Sequence, residues 1–172
     1  MLSRIVEPCA LIRVQSWQLG ASVPKQAEHF LGVSWPHTAG AVASGQADVI
    51  CLGPTDWLLV GTGPVESWML ALTAALSPTS YRATDLSSAL SRIRIAGASA
   101  RMLLATACAL HVFSPEFTPG RAARTLVAGV PTVIRCLPRS VFECLVPVSY
   151  ADYVMRWLTD AAAGYQIKAN GQ

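Results

Sequence analysis

Lysine is nearly absent from this 172-residue chain: two of its thirteen basic residues are Lys and the other eleven are Arg. Charge of either sign is scarce, at 13% of residues against an average of about 25% for soluble domains, while apolar residues reach 52%. Charged side chains normally cover a surface, so a chain with too few of them is expected to bury surface against another protein. The net charge is +3 and the arginines are scattered without a basic run, which argues against nucleic acid as a partner. No apolar run approaches the roughly 18 residues of a membrane span, and residues 1–8 carry Glu7 instead of an apolar signal core. A cytoplasmic protein that touches no membrane is the expectation.

Several kinds of chemistry are missing too. The five cysteines, Cys9, Cys51, Cys108, Cys136 and Cys144, are odd in number, form no C-x-x-C pair and lie in apolar runs, as reduced core thiols do. His29 and His37 lack a third ligand at metal-site spacing, so no metal site is expected. Gly61-Thr-Gly63 runs into Pro64 and reads as a turn, not as a phosphate cradle.

What is present is periodicity. Ser91 to Ala96 alternates, with Ile93 and Ile95 on one face and Arg92 and Arg94 on the other. Gly97 stops the strand, and Ala100, Leu103 or Met102, Leu104, Ala107 and Leu110 then recur at helical spacing. Before this centre the chain reads as a strand over 10–17, with Leu11, Val14 and Trp17 apolar, and a helix over 22–32 with Ser22 near its N-cap. A loop over 35–40, a hairpin of strands 47–52 and 57–61 and a helix over 65–76 closed by Ser77-Pro78 follow. A polar turn around Asp85 and Ser87 precedes the central strand. After an irregular crossing at 114–120 come strands over 121–127, 131–136 and 141–146, then a helix from a capping-box pattern at Ser149 to Gly164 and a loose tail over 165–172. The expected fold class is α+β: two successive α/β sandwich halves with mostly antiparallel sheets, residues 1–79 and 80–172, interlocked as one compact unit.

Candidate chemistry is sparse. Asp85, beside Thr84, Ser87 and Ser88, is the best isolated carboxylate and the one candidate cofactor-binding residue, although a carboxylate in such a turn ordinarily accepts hydrogen bonds from its own backbone. Cys108 and His111, three apart, could share a face as a thiolate and imidazole pair, but no orienting group is near in sequence. Trp57, Trp68 and Trp157 fall on apolar faces. Trp35 lies in a loop beside Pro36 and is the aromatic expected at an interface.

Three blocks carry a family resemblance. Leu52-Gly-Pro-Thr-Asp-Trp-Leu-Leu59, the central Ala83-Thr-Asp-Leu-Ser87 with Ile93-x-Ile-x-Gly97-Ala-x-Ala-x-x-Leu-Leu104, and Val148-Ser-Tyr-Ala-Asp-Tyr153 with Trp157-Leu158 resemble, in order and spacing, the gamma subunit of heterotetrameric sarcosine oxidase. Val148 stands where that family has Arg, and His111-Val112 where it commonly has Asp-Leu. The central block is also similar to the folate-binding module of aminomethyltransferases. There, a paired-aspartate segment supplies the catalytic carboxylate, whereas the corresponding Gly129-Val-Pro-Thr-Val-Ile134 contains no acid.

The resemblance implies a non-catalytic assembly subunit, with no catalytic residue, cofactor or metal of its own and alpha, beta and delta subunits as partners. The complex would demethylate sarcosine oxidatively to glycine, passing the one-carbon unit to tetrahydrofolate or releasing formaldehyde, and yield hydrogen peroxide. FAD, FMN, NAD and tetrahydrofolate would lie on the larger subunits and zinc on the smallest, and the isolated chain could self-associate. The alternative is a free-standing folate-binding or one-carbon-transfer protein of the same fold, in which Asp85 would line a pocket.

Overall fold

The computed structural model describes residues 2–5, 9–19, 23–76 and 79–169, with side chains described to residue 164. Ser22 as an N-cap and Ser77-Pro78 as a helix closure lie outside the described residues. Contacts divide the chain into a first unit, Glu7–Ala89, and a second unit, Leu90–Gln172 with Met1–Val6. The division falls after Ala89, not after residue 79.

In the first unit, β2 (Cys9–Ser16), β3 (Val42–Ser44), β4 (Ala47–Gly53), β5 (Asp56–Thr62) and β6 (Tyr81–Asp85) form an antiparallel sheet in the order β3-β4-β5-β2-β6, with α1 (Lys25–Leu31) and α2 (Val65–Ala75) in the connections. One sheet face, Ala10, Ile12, Val14, Val49, Cys51, Trp57 and Leu59, packs with Ala27, Leu31 and Leu72 of the helices into a single core. Alternate residues make that face because strand side chains point to opposite sides in turn. Gly32 ends α1 with φ 69°, the left-handed cap that glycine adopts without strain. Trp17 lies beyond the end of β2 and is exposed, so it is not the third apolar position of the strand.

In the second unit, β1 (Leu2–Ile5), β7 (Leu90–Ala96), β8 (Arg121–Val127), β9 (Val130–Leu137) and β10 (Val141–Pro147) form an antiparallel sheet in the order β1-β7-β10-β9-β8. Ile93, Ile95, Ile134, Phe142, Cys144 and Val146 from one face pack with Leu103 and Leu104 of α3 (Ala100–Ala107) and Val154 and Leu158 of α4 (Ala151–Ala169). The β8–β9 hairpin turns on Ala128 and Gly129, both at positive φ, as a two-residue hairpin requires.

The two units repeat one another. Read from the edge, β3-β4-β5-β2-β6 corresponds to β8-β9-β10-β7-β1, and each unit places one helix after its first strand and another after its hairpin. The difference is the source of the fifth strand. The first unit draws it from the residues after α2, and the second takes it from the start of the chain. This explains why the division misses residue 79: Tyr81–Asp85, which leads into the polar turn expected around Asp85 and Ser87, pairs with β2 through Ile12↔Asp85 to Ser16↔Tyr81. Gly164 does not end the last helix, which continues to Ala169 where a loose tail is expected. Glycine weakens a helix by about 1 kcal/mol but stops it only where the chain turns left-handed.

Gly61 has a packing reason. A Cβ there would lie 2.8 Å from Cε2 of Trp68, whose indole N–H donates to the Thr62 carbonyl at 2.9 Å. The glycine lets the Trp68 indole of α2 approach β5 closely. Gly61→Ala is expected to destabilise the protein by about 1–3 kcal/mol through overpacking, read as a lowered urea midpoint at unchanged slope.

Candidate functional site

Asp85 closes β6 and is exposed. Its Oδ1 accepts the Ser87 backbone N–H at 2.8 Å. Ser87 Oγ accepts the Leu11 N–H at 3.1 Å, and the Leu86 N–H donates to the Leu11 carbonyl at 2.7 Å. The Thr-Asp-Leu-Ser segment is thus a clasp that turns the chain out of β6 and ties it to β2. A carboxylate in such a turn accepts from its own backbone and so fixes the local chain.

Trp35 is not at the surface. It is 2% exposed, meets Trp57 edge to face with ring centroids 5.4 Å apart, and donates its backbone N–H to Glu28 Oε1 at 3.1 Å. Trp57 donates its indole N–H to the Pro36 carbonyl at 2.8 Å. These contacts fold the loop after α1 back over the core, which corrects Trp35 from an interface residue to a core residue. Its indole N–H has no hydrogen-bond partner among the described residues.

The Cys108 and His111 pairing does not form. α3 ends at Ala107, and Cys108 is extended at φ −143°, ψ 157°, so helical spacing no longer applies. The Cys108 thiol donates to the Leu104 carbonyl at 3.1 Å, while His111 is exposed. Burial pushes the Cys108 thiol above the ordinary range. Cys51, Cys136 and Cys144 are raised as well, desolvation being the main cause each time. Among the described residues no three His, Cys, Asp or Glu side chains converge on a metal position.

The most concentrated charge in the second unit was hidden in its strands. Glu143 of β10, with none of its surface exposed, accepts from Nε of Arg92 at 2.8 Å through one carboxylate oxygen and from Nε of Arg135 at 2.5 Å through the other. Register places Arg135 directly opposite Glu143 and Arg92 diagonally from it. The polar face of the Ser91–Ala96 alternation is therefore not simply the wet one: Arg92 turns inward to a buried acid. A third arginine, Arg101 of α3, donates to the carbonyls of Val112 and Phe117 and lies 5.2 Å above the Phe142 ring, pinning residues 112–117 to the core. Both roles need partners distant in sequence, so no local signal marks them.

Family comparisons give the chain its place. The sequence profile of the family "Sarcosine oxidase, gamma subunit family" matches residues 20–164. The chain belongs to that family. The gamma subunit of sarcosine oxidase from Corynebacterium sp. (strain U-96) is 28% identical over 137 residues, covering 78% of this chain. The aligned stretch is 66% of that relative's length, so this gamma-family chain spans just under two thirds of it. The gamma subunit from Arthrobacter sp. is 29% identical over 149 residues, covering 81% of this chain and 72% of the relative. In structure, the gamma-family chain superposes on a chain of heterotetrameric sarcosine oxidase from Corynebacterium sp. U-96, in complex with pyrrole 2-carboxylate. The TM-score is 0.86 at 23% identity, over 96% of this chain and 84% of the other. It also superposes on glycine cleavage system aminomethyltransferase T from Bartonella henselae with TM-score 0.63 at 16% identity, covering 91% of this chain and 44% of the other. The fold is thus the aminomethyltransferase-like α+β fold.

Two outcomes follow for the gamma-family chain. Glu143→Gln leaves two arginines around a neutral group and is expected to destabilise folding by about 3–5 kcal/mol, measured by chemical denaturation. The raised Cys108 thiol is expected to react slowly with iodoacetamide in the folded protein at neutral pH and to speed up only well above about pH 8.5, the ordinary thiol range. Rapid labelling at neutral pH, followed by mass spectrometry of the modified peptide, would revive a thiol mechanism.

Proposed function

We propose that this chain is a non-catalytic gamma-type subunit of a heterotetrameric sarcosine oxidase-like complex. The observation that carries the reading is the family match across residues 20–164. The groups that could have done chemistry also support it. Asp85 caps its own turn, Glu143 is neutralised by two arginines, and the Cys108 thiol is raised by burial. Gly129 to Ile134, where aminomethyltransferases carry their catalytic acid, has no carboxylate to stabilise a developing cation or move a proton. The chain contributes surface to the complex.

The complex oxidises the N-methyl amine of sarcosine with dioxygen and water, giving glycine, hydrogen peroxide and a one-carbon unit that leaves as formaldehyde or passes to tetrahydrofolate. FAD, FMN, NAD and tetrahydrofolate are assigned to the larger alpha and beta subunits and zinc to the small delta subunit. A cytoplasmic site fits this chemistry, and no helix among the described residues is long and apolar enough to cross a membrane. The second reading, a free-standing folate-binding or one-carbon-transfer protein, draws on the aminomethyltransferase likeness.

Native mass spectrometry separates the two. Expressed with the alpha, beta and delta polypeptides of a sarcosine oxidase-like complex, the chain is expected to enter a flavin-containing complex of four different subunits. A chain that stays alone in their presence and binds tetrahydrofolate in titration would overturn the assembly reading in favour of the second.

A further inference from the structure

The two closing strands are held unequally. β6 is fastened at both of its ends: the Trp17 N–H donates to the Ser80 carbonyl at 3.1 Å, and the clasp of Leu86 and Ser87 ties the far end to Leu11. Tyr81 adds a side chain buried in the first core. β1 is one residue shorter, and none of its four residues is buried. Leu2 lies against the second core only partly covered, and Arg4 meets Asp152 of α4 at 3.1 Å with both side chains exposed. An exposed ion pair adds little.

A short strand with so little buried opens at far lower cost than the whole unit. What it leaves behind is an open β7 edge, with N–H and C=O groups beside the buried Ile93 and Ile95 that call for a new strand. The segment that matches this edge is already defined. Leu2 stands opposite Ile95, Ser3 opposite Arg94, Arg4 opposite Ile93 and Ile5 opposite Arg92. Every copy of the chain carries that segment. Only Val6-Glu7-Pro8 joins it to β2 of the first unit, and short connectors favour exchange of an element between copies over its return to the same copy.

We infer that Leu2–Ile5 is an exchangeable strand, and that the partner of the open β7 edge is a second copy of this chain. Each copy gives its β1 to the other in the register seen within one copy, and the pair of Arg4 with Asp152 is remade between copies. The exchange is reciprocal, so it closes as a two-fold dimer with both β7 edges paired. No contact of β1 is lost. The cost is the independence of the two copies, which protein concentration offsets. This self-association needs no other subunit and does not depend on the assembly reading.

The test is a disulfide between positions 3 and 94, which stand opposite each other across the strand pair. Residues directly opposite in an antiparallel pair lie within disulfide reach. Equal amounts of unlabelled and 15N-labelled chain carrying Ser3→Cys and Arg94→Cys are mixed, held at several protein concentrations until stable, and oxidised. Mass spectrometry of the peptides joined through positions 3 and 94 is expected to find bridges with one heavy and one light half. Their ratio to single-isotope bridges is expected to rise about tenfold for a tenfold rise in concentration while monomer predominates. A charge exchange carries the test if the cysteine variants fail to fold. Arg4→Asp and Asp152→Arg, both at exposed positions, each mismatch the strand contact within one copy, and a mixed dimer of the two variants restores both pairs. Native mass spectrometry is expected to show that mixed dimer at about threefold or more above its statistical share. Single-isotope bridges alone at every concentration, or a mixed dimer at no more than its statistical share, overturns the inference.

Discussion

Each five-stranded antiparallel sheet in this protein gives one face to two helices, and that requirement orders the rest of the structure. A sheet face becomes dry only if alternate residues along every strand are apolar and the helices above present a matching stripe. Ile12 and Val14 meet this in β2, Ile93 and Ile95 in β7, and Phe142, Cys144 and Val146 in β10. A fifth strand must also shield the open side of β2 or β7, because a long unpaired edge invites association with other strands. The first unit uses Tyr81–Asp85 and the second uses Leu2–Ile5, so one architecture is built twice with the closing strand taken from opposite ends of the repeat.

Five of the ten carboxylates are taken up by this scaffold. Asp56 holds Arg13 through two hydrogen bonds at 2.8 and 2.7 Å, Glu143 joins Arg92 and Arg135, Asp152 meets Arg4, Glu28 caps the Trp35 amide and Asp85 caps the Ser87 amide. Carboxylates used in this way fix loops and strand pairs. The same economy leaves a surface with little charge to keep it apart from other proteins, which is the physical link between composition and the assembly role proposed above.

The buried Arg92, Glu143 and Arg135 group shows how a polar cluster serves a sheet. Moving three ions out of water is unfavourable, and the charge-assisted hydrogen bonds offset this only while all three are present and in register. A one-residue slip of β10 would turn Glu143 to the helix-covered face and Phe142 away from it. The cluster therefore discriminates among registers more strongly than it adds stability. It does for β7, β9 and β10 what the edge-to-face Trp35 and Trp57 pair does for the loop after α1.

By itself the sequence determined the two-part α+β plan, the central strand and helix around Gly97, the hairpins of 47–62 and 121–147, Cys51, Cys136 and Cys144 as core thiols, and the family, whereas Cys9 and Cys108 are only partly buried. Period-two and period-3.6 patterns are local, and turn residues such as Ala128-Gly129 act within a few positions. It did not disclose Leu2–Ile5, Val42–Ser44 or Tyr81–Asp85 as strands. Short edge strands bury little and carry no clear alternation, so their identity depends on the strand they meet. The environments of Trp35 and Cys108 were out of reach for the same reason. A loop tryptophan becomes core because Trp57 and Glu28 lie across from it, and a thiol three residues from a histidine stays apart because the helix ends first. Tertiary structure alone decided which carboxylates were committed to arginines, which aromatic side chains remained outside, and which part of the chain closed each sheet, since all three depend on contacts between residues far apart in sequence.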